Sequence, residues 1–135
     1  MHLSLGYVIF YVPDVAAAVD FYRTAFGLSV RMQTPEGDYG ELETGATVLA
    51  FVAESLAEDN LGAAGGYTRH RSDGPPSGST PVMVTDDVEG AVEAAVAAGA
   101  RRYVEPTVKP WGQTVAYVID ASGILVELAT PVAAG

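Results

Sequence analysis

One short pattern is written twice in this chain, and it limits the possible folds more than any single residue does. Val8 to Val12 is an apolar run followed by Pro13, Asp14 and Val15, then by a helix-like stretch, Ala16 to Phe26, closed by Gly27. Val82 to Val84 is a second such run, followed by Asp86, Asp87 and Val88, then by Glu89 to Ala98 and Gly99. Setting Asp14 on Asp87 also sets Val15 on Val88, Ala18 on Ala91 and Val19 on Val92. Two copies of one supersecondary unit predict a pseudo-symmetric fold with its site between the halves. A chain of 135 residues is the length of one compact domain, so the copies are read as two halves of one core.

Local signals place the elements. Leu5 to Val12 is rich in β-branched and aromatic residues and stops at Pro13, which cannot donate to a ladder. Asp14 stands at an N-cap, Val15, Val19, Tyr22 and Phe26 recur at helical spacing, and Gly27 suits a left-handed C-cap. Strands are predicted over Leu28 to Gln33, Asp38 to Glu43 and Thr47 to Ala53, separated by Thr34 to Gly37 and Thr44-Gly45. The second copy continues in the same order, with strands over Arg102 to Val104, Gln113 to Ile119 and Ile124 to Leu128. Asp120 to Gly123 forms the last hairpin turn. The reading is α+β, a single domain over 1–135: module one 1–53, a Gly/Pro-rich linker 54–80, and module two 81–135.

Composition removes several classes of function. Seventeen acidic against seven basic side chains give a net charge of −10, which repels phosphate backbones and anionic membranes and attracts cations. Nucleic acid and membrane are therefore not expected as partners. No apolar run approaches the roughly 18 residues of a membrane span. The first residues lack a signal peptide's basic flank and cleavage site, and the absence of cysteine fits a reducing cytoplasm. It also removes disulfides, thiolate metal sites and a Cys nucleophile. Gly62 to Gly66 lacks the Lys-Ser/Thr ending of a phosphate loop, and Ser4, Ser29 and Ser55 have no recognisable base and acid beside them.

The segment Tyr11 to Val15 leading to Phe21-Tyr22 and Phe26-Gly27-Leu28, with Pro110 to Gln113 and Asp120 to Leu128, resembles the vicinal oxygen chelate superfamily. That group includes glyoxalase I, extradiol dioxygenases, fosfomycin-resistance enzymes and bleomycin-resistance binding proteins. The resemblance implies paired βαβββ modules whose mixed sheets curl into an incomplete cup with the helices outside, commonly in a homodimer. It also implies a divalent metal held by His and Glu from the first and last strand of each module. Carried over position by position, the first-strand slots fall on Tyr7 and Thr80, seven residues before Asp14 and Asp87. The last-strand slots fall on Glu127 and, across a one-residue gap, on Leu49 or Ala50. One carboxylate remains, and a lone ligand holds a divalent cation weakly. No metal and no other cofactor is expected.

Glu127 alternates with Val126 and Leu128, so its carboxylate faces the cup if they face the core. There it is a base, a cation anchor, or a ligand remnant hydrogen-bonded to Gln113 or a tyrosine. Trp111, between Pro110 and Gly112, is either a rim platform for a planar or cationic ligand or a loop anchor. Phe10, Met83 and Tyr117 line either the cup or the helix side of their sheets. Arg69, His70 and Arg71 could grip an anionic group if the linker folds over the cup, with Tyr67 as a gate; otherwise His2 and His70 are surface residues.

The resulting expectation is a cytoplasmic, homodimeric, metal-independent binding protein that sequesters a cationic or planar natural product, as antibiotic-resistance members do. Its ligand-lining set is Tyr7, Phe10, Leu49, Tyr67, Thr80, Trp111, Gln113, Tyr117 and Glu127. The alternative is a divalent-metal lyase, isomerase or dioxygenase that uses Glu127, with Glu43 or His70 completing the set.

Overall fold

A computed structural model describes residues 1–132; the last three residues of module two, 133–135, lie outside the described residues. The chain divides into two compact units, one made of residues 1–23 and 27–69 and the other of residues 24–26 and 70–135. The first contains β1 (Tyr7–Val12), most of α1 (Val15–Phe26), β2 (Val30–Gln33), β3 (Tyr39–Leu42), β4 (Val48–Ala53) and α2 (Glu54–Leu61). The second contains β5 (Val82–Val84), α3 (Val88–Ala97), β6 (Arg101–Val108), β7 (Thr114–Ile119) and β8 (Leu125–Ala129). The sheet orders are β1-β4-β3-β2 and β5-β8-β7-β6, so the sequence repeat is a repeat of topology. Each sheet joins one parallel pair, β1 with β4 or β5 with β8, to an antiparallel hairpin series. The α+β class and the two βαβββ modules stand as expected, and both sheets are open.

The helix starts follow from their caps. Asp14 Oδ1 accepts from the Ala17 amide at 3.0 Å, and Asp87 Oδ1 accepts from the Gly90 amide at 2.9 Å, each satisfying a donor that the first turn leaves unpaired. In the first unit α1 lies on one face of its sheet. Tyr22 stacks on Phe51 with centroids 5.2 Å apart, and Phe51 meets Phe10 at 6.4 Å. Gly40 stands opposite Phe51 on β3, and a Cβ there would lie 2.9 Å from a Val19 methyl and 3.2 Å from a Val15 methyl. The helix can approach the sheet this closely because that position has no side chain.

Two elements depart from the sequence reading. The segment 54–80 begins with α2 and a 3₁₀ turn, Gly62–Ala64, rather than running as loop throughout. β6 runs to Val108 through Pro106, well past the expected end at Val104. It can do so because it is an edge strand whose pairing with β7 slips between Val104 and Thr107, so no ladder bond is demanded of the proline. Among the described residues no helix is long and apolar enough to cross a membrane.

Candidate functional site

Strand alternation separates the candidate residues into two faces. Gly40, Phe51 and Phe10 face α1, so Tyr39, Glu41, Ala50 and Ile9, each one position away, face the other side of the first sheet. Phe10 is therefore a core residue, 6% exposed and packed on Phe51, and not a ligand-lining one. Leu49 is buried and shares that helix-side face, since it pairs with Val8 next to the Phe10–Phe51 pair. The register also closes the one-residue gap left by the sequence. Ile9 pairs with Ala50 and Val82 with Glu127, and Ile9 and Val82 are equivalent when Asp14 is set on Asp87. The counterpart of Glu127 is Ala50.

On the open face of the second sheet, Tyr117 and Glu127 stand directly opposite each other on β7 and β8. The tyrosine hydroxyl donates to Glu127 Oε1 at 2.7 Å. This bond, then burial and the carboxylate's charge, raises the Tyr117 phenol above its ordinary pKa, so it remains a donor. Val126 and Leu128, on either side of Glu127, are fully buried, whereas Glu127 is half-buried. At the β6–β7 turn Trp111 is 62% exposed, and its indole N–H donates to Gln113 Oε1 at 2.9 Å. The Gln113 amide donates in turn to the Thr130 carbonyl at 2.8 Å, which fixes the ring's base while its face stays open. Thr80 precedes β5, and its hydroxyl donates to the Pro81 carbonyl.

The first unit holds a polar cluster that the sequence reading missed. Glu41 is only 8% exposed, and both its oxygens are engaged. Tyr39 donates to Oε2 at 2.6 Å, and Arg31 Nε lies 3.4 Å from Oε1. Burial, the bond to Glu41 and that carboxylate's charge together push the Tyr39 phenol up to about 12. The Tyr7 phenol is within electrostatic reach of Tyr39 and is 53% exposed. By the register that equates Ala50 with Glu127, Glu41 is the counterpart of Tyr117. The missed signal was an ionisable residue at the third position of the short strand Tyr39-Gly40-Glu41-Leu42, where a buried site requires partners.

Tyr67 packs against Tyr11 of β1 with tilted rings 5.1 Å apart, so the segment after α2 returns to the first sheet. Arg69 lies over the Tyr67 ring and pairs with Glu54 and Glu58 of α2, at 3.4 and 3.0 Å, so its charge is already neutralised within the protein. Arg71 Nη1 donates to the His70 carbonyl. Glu43 and His2 are exposed and His70 is half-buried. Among the described residues no three His, Cys, Asp or Glu side chains come together to hold a metal ion. With a phenol, a methyl group, a hydroxyl and one tyrosine-bonded carboxylate at the four slots, the residues present do not fit the superfamily's divalent metal.

A family model for the Glyoxalase/Bleomycin resistance protein/Dioxygenase superfamily matches residues 4–128. No curated protein sequence matches the chain. Solved structures match its fold at low identity. One is a glyoxalase/bleomycin resistance protein/dioxygenase family enzyme from Burkholderia phytofirmans PsJN, with TM-score 0.77 and 21% identity over 95% of this chain and 98% of that one. A glyoxalase-related enzyme from Fulvimarina pelagi gives TM-score 0.79 and 19% identity over 96% and 89%. A lactoylglutathione lyase from Agrobacterium tumefaciens gives 0.66 and 20% over 96% and 94%. With nearly its whole length matched by the family model and both βαβββ modules in place, the chain belongs to the Glyoxalase/Bleomycin resistance protein/Dioxygenase superfamily.

Proposed function

We propose that this protein binds a small molecule without a metal, and that Glu127 anchors a cationic, partly planar ligand. The observation that carries the reading is the state of Glu127. Its Oε1 is held by Tyr117, and Oε2 meets no other donor among the described residues, so an oriented carboxylate presents one free oxygen. A Lewis acid role would need further ligands, and the equivalent slots hold Tyr7, Ala50 and Thr80. A net charge of −10 draws cations toward the molecule, and an open indole at Trp111 offers a stacking face. Sequestration of a natural-product drug, in a cytoplasmic homodimer, completes the reading.

Calorimetric titration with a panel of planar cationic compounds tests it, with the fluorescence of Trp111 as a second signal. Binding is expected to be saturable and to weaken about tenfold or more in Glu127→Gln, the loss of one charge-assisted contact. A panel-wide absence of binding would sink the proposal. So would a stoichiometric divalent metal in protein purified without chelator that is lost in Glu127→Ala, because it would establish the metal-dependent lyase, isomerase or dioxygenase reading instead.

A further inference from the structure

We propose that the open face of the first sheet binds a monocarboxylate, with Arg31 as its anchor. Arg31 is the extra residue of a β-bulge. Val30 pairs with Leu42, and the next pairings are Met32 with Glu41 and Gln33 with Gly40, so Arg31 is inserted opposite Glu41 without a partner of its own. Bulges on edge strands re-aim a side chain, and β2 is an edge strand. The result is a surface arginine paired with Glu41. Its Nε lies 3.4 Å from Oε1 of the buried Glu41, while the side chain as a whole is 46% exposed. Among the described residues no acceptor is bonded to Nη1 or Nη2, which leaves the outer part of the guanidinium fork open.

Glu41 has both oxygens occupied, by Tyr39 and Arg31, so it orients the arginine and is not itself available to a ligand. It is a positioning residue. A planar fork with two open nitrogens matches a carboxylate. The Tyr39 ring beside it, with Tyr7 in electrostatic reach of Tyr39, adds aromatic faces, which suits an aromatic or otherwise flat acid. A dianion such as phosphate is disfavoured, because the charge beneath the arginine is a carboxylate and the whole chain is strongly acidic. The observations behind this site are all within the first unit and do not include Glu127.

The test is titration with benzoate, followed by nuclear magnetic resonance of the backbone amides of β2 and β3 and of the Arg31 Nε–H. Saturable shifts are expected there, with affinity lowered about tenfold or more in Arg31→Gln and also lowered in Arg31→Lys, which keeps the charge but not the fork. In Glu41→Gln the Nε–H signal is expected to broaden through faster exchange with water, with weaker benzoate binding. If Arg31→Gln fails to fold because Glu41 loses its counter-charge, the double variant Arg31→Gln/Glu41→Gln removes both charges and serves instead. Absence of saturable shifts in the native protein, binding unchanged in the arginine variants, or inorganic phosphate binding more tightly than benzoate would each overturn the proposal. Benzoate binding is read on the β2 and β3 amides and cation binding by calorimetry and Trp111 fluorescence, so failure here and failure of the cation site are told apart.

Discussion

Glu41 and Glu127 show how the same side chain acquires different uses from its neighbours. Glu41 accepts from Tyr39 and is ion-paired with Arg31, and Tyr39 is held protonated by burial and by its bond to Glu41; Glu127 has one donor and one open oxygen. The Tyr39 phenol, at about 12 in the folded protein against an ordinary 10, gives a pH signature. Between these values the unfolded chain has lost this proton and the folded one keeps it, so the stabilisation is fully present below pH 10 and is lost as pH rises through about 12. Unfolding free energy measured across that window is expected to fall with pH, and the fall is expected to be shallower in Tyr39→Phe. Ultraviolet titration of the phenolates should lose its latest-titrating step in the same variant. An unchanged titration curve would mean that Tyr39 is not the raised group.

At the level of elements, the contact of α1 with its sheet depends on a position that tolerates no side chain. In Gly40→Ala the new methyl group would press on branched Val19 and Val15, neither of which has a flexible end to move aside. The expected cost is about 1 to 3 kcal/mol, seen as a lower denaturant midpoint with an unchanged slope. A midpoint equal to that of the native protein would show that the helix shifts freely. Gly123 sets a similar limit in the second unit, where the β7–β8 turn at φ +94° lies against the Arg71 backbone. Most of these elements were legible in the sequence because their signals are local: an aspartate cap, helical spacing, a turn at Asp120 to Gly123. α2 was missed because its N-cap is Ala53 with no side-chain bond, only Ala57 of it is buried, and a glycine-rich stretch follows. The site was half legible. Glu127 could be placed by alternation and by the repeat, but Tyr39, Glu41 and Arg31 meet through strand pairing and a bulge, which no local pattern announces.

For the molecule as a whole, the dominant property is the charge of −10, and most of its few cations are already engaged with the protein's own acceptors. Arg23 pairs with Asp20, Arg102 with Glu105, Arg69 with Glu54 and Glu58, and Arg101 donates to the Ser72 carbonyl. The field around the protein is therefore strongly negative, and a cation approaching Glu127 is accelerated by charges that never touch it. Raising ionic strength from about 0.01 M to about 0.15 M shortens the screening length from about 30 Å to about 8 Å, which removes the distant contributions and leaves the contact at Glu127 largely intact. The association rate of a cationic ligand, measured by stopped-flow fluorescence of Trp111, is expected to fall several-fold over that range while the dissociation rate changes little. Glu127→Gln reverses the pattern, raising dissociation while leaving most of the salt dependence in place. A cation whose association rate ignores salt would have to bind away from this field, and the assignment of Glu127 as its anchor would then fail.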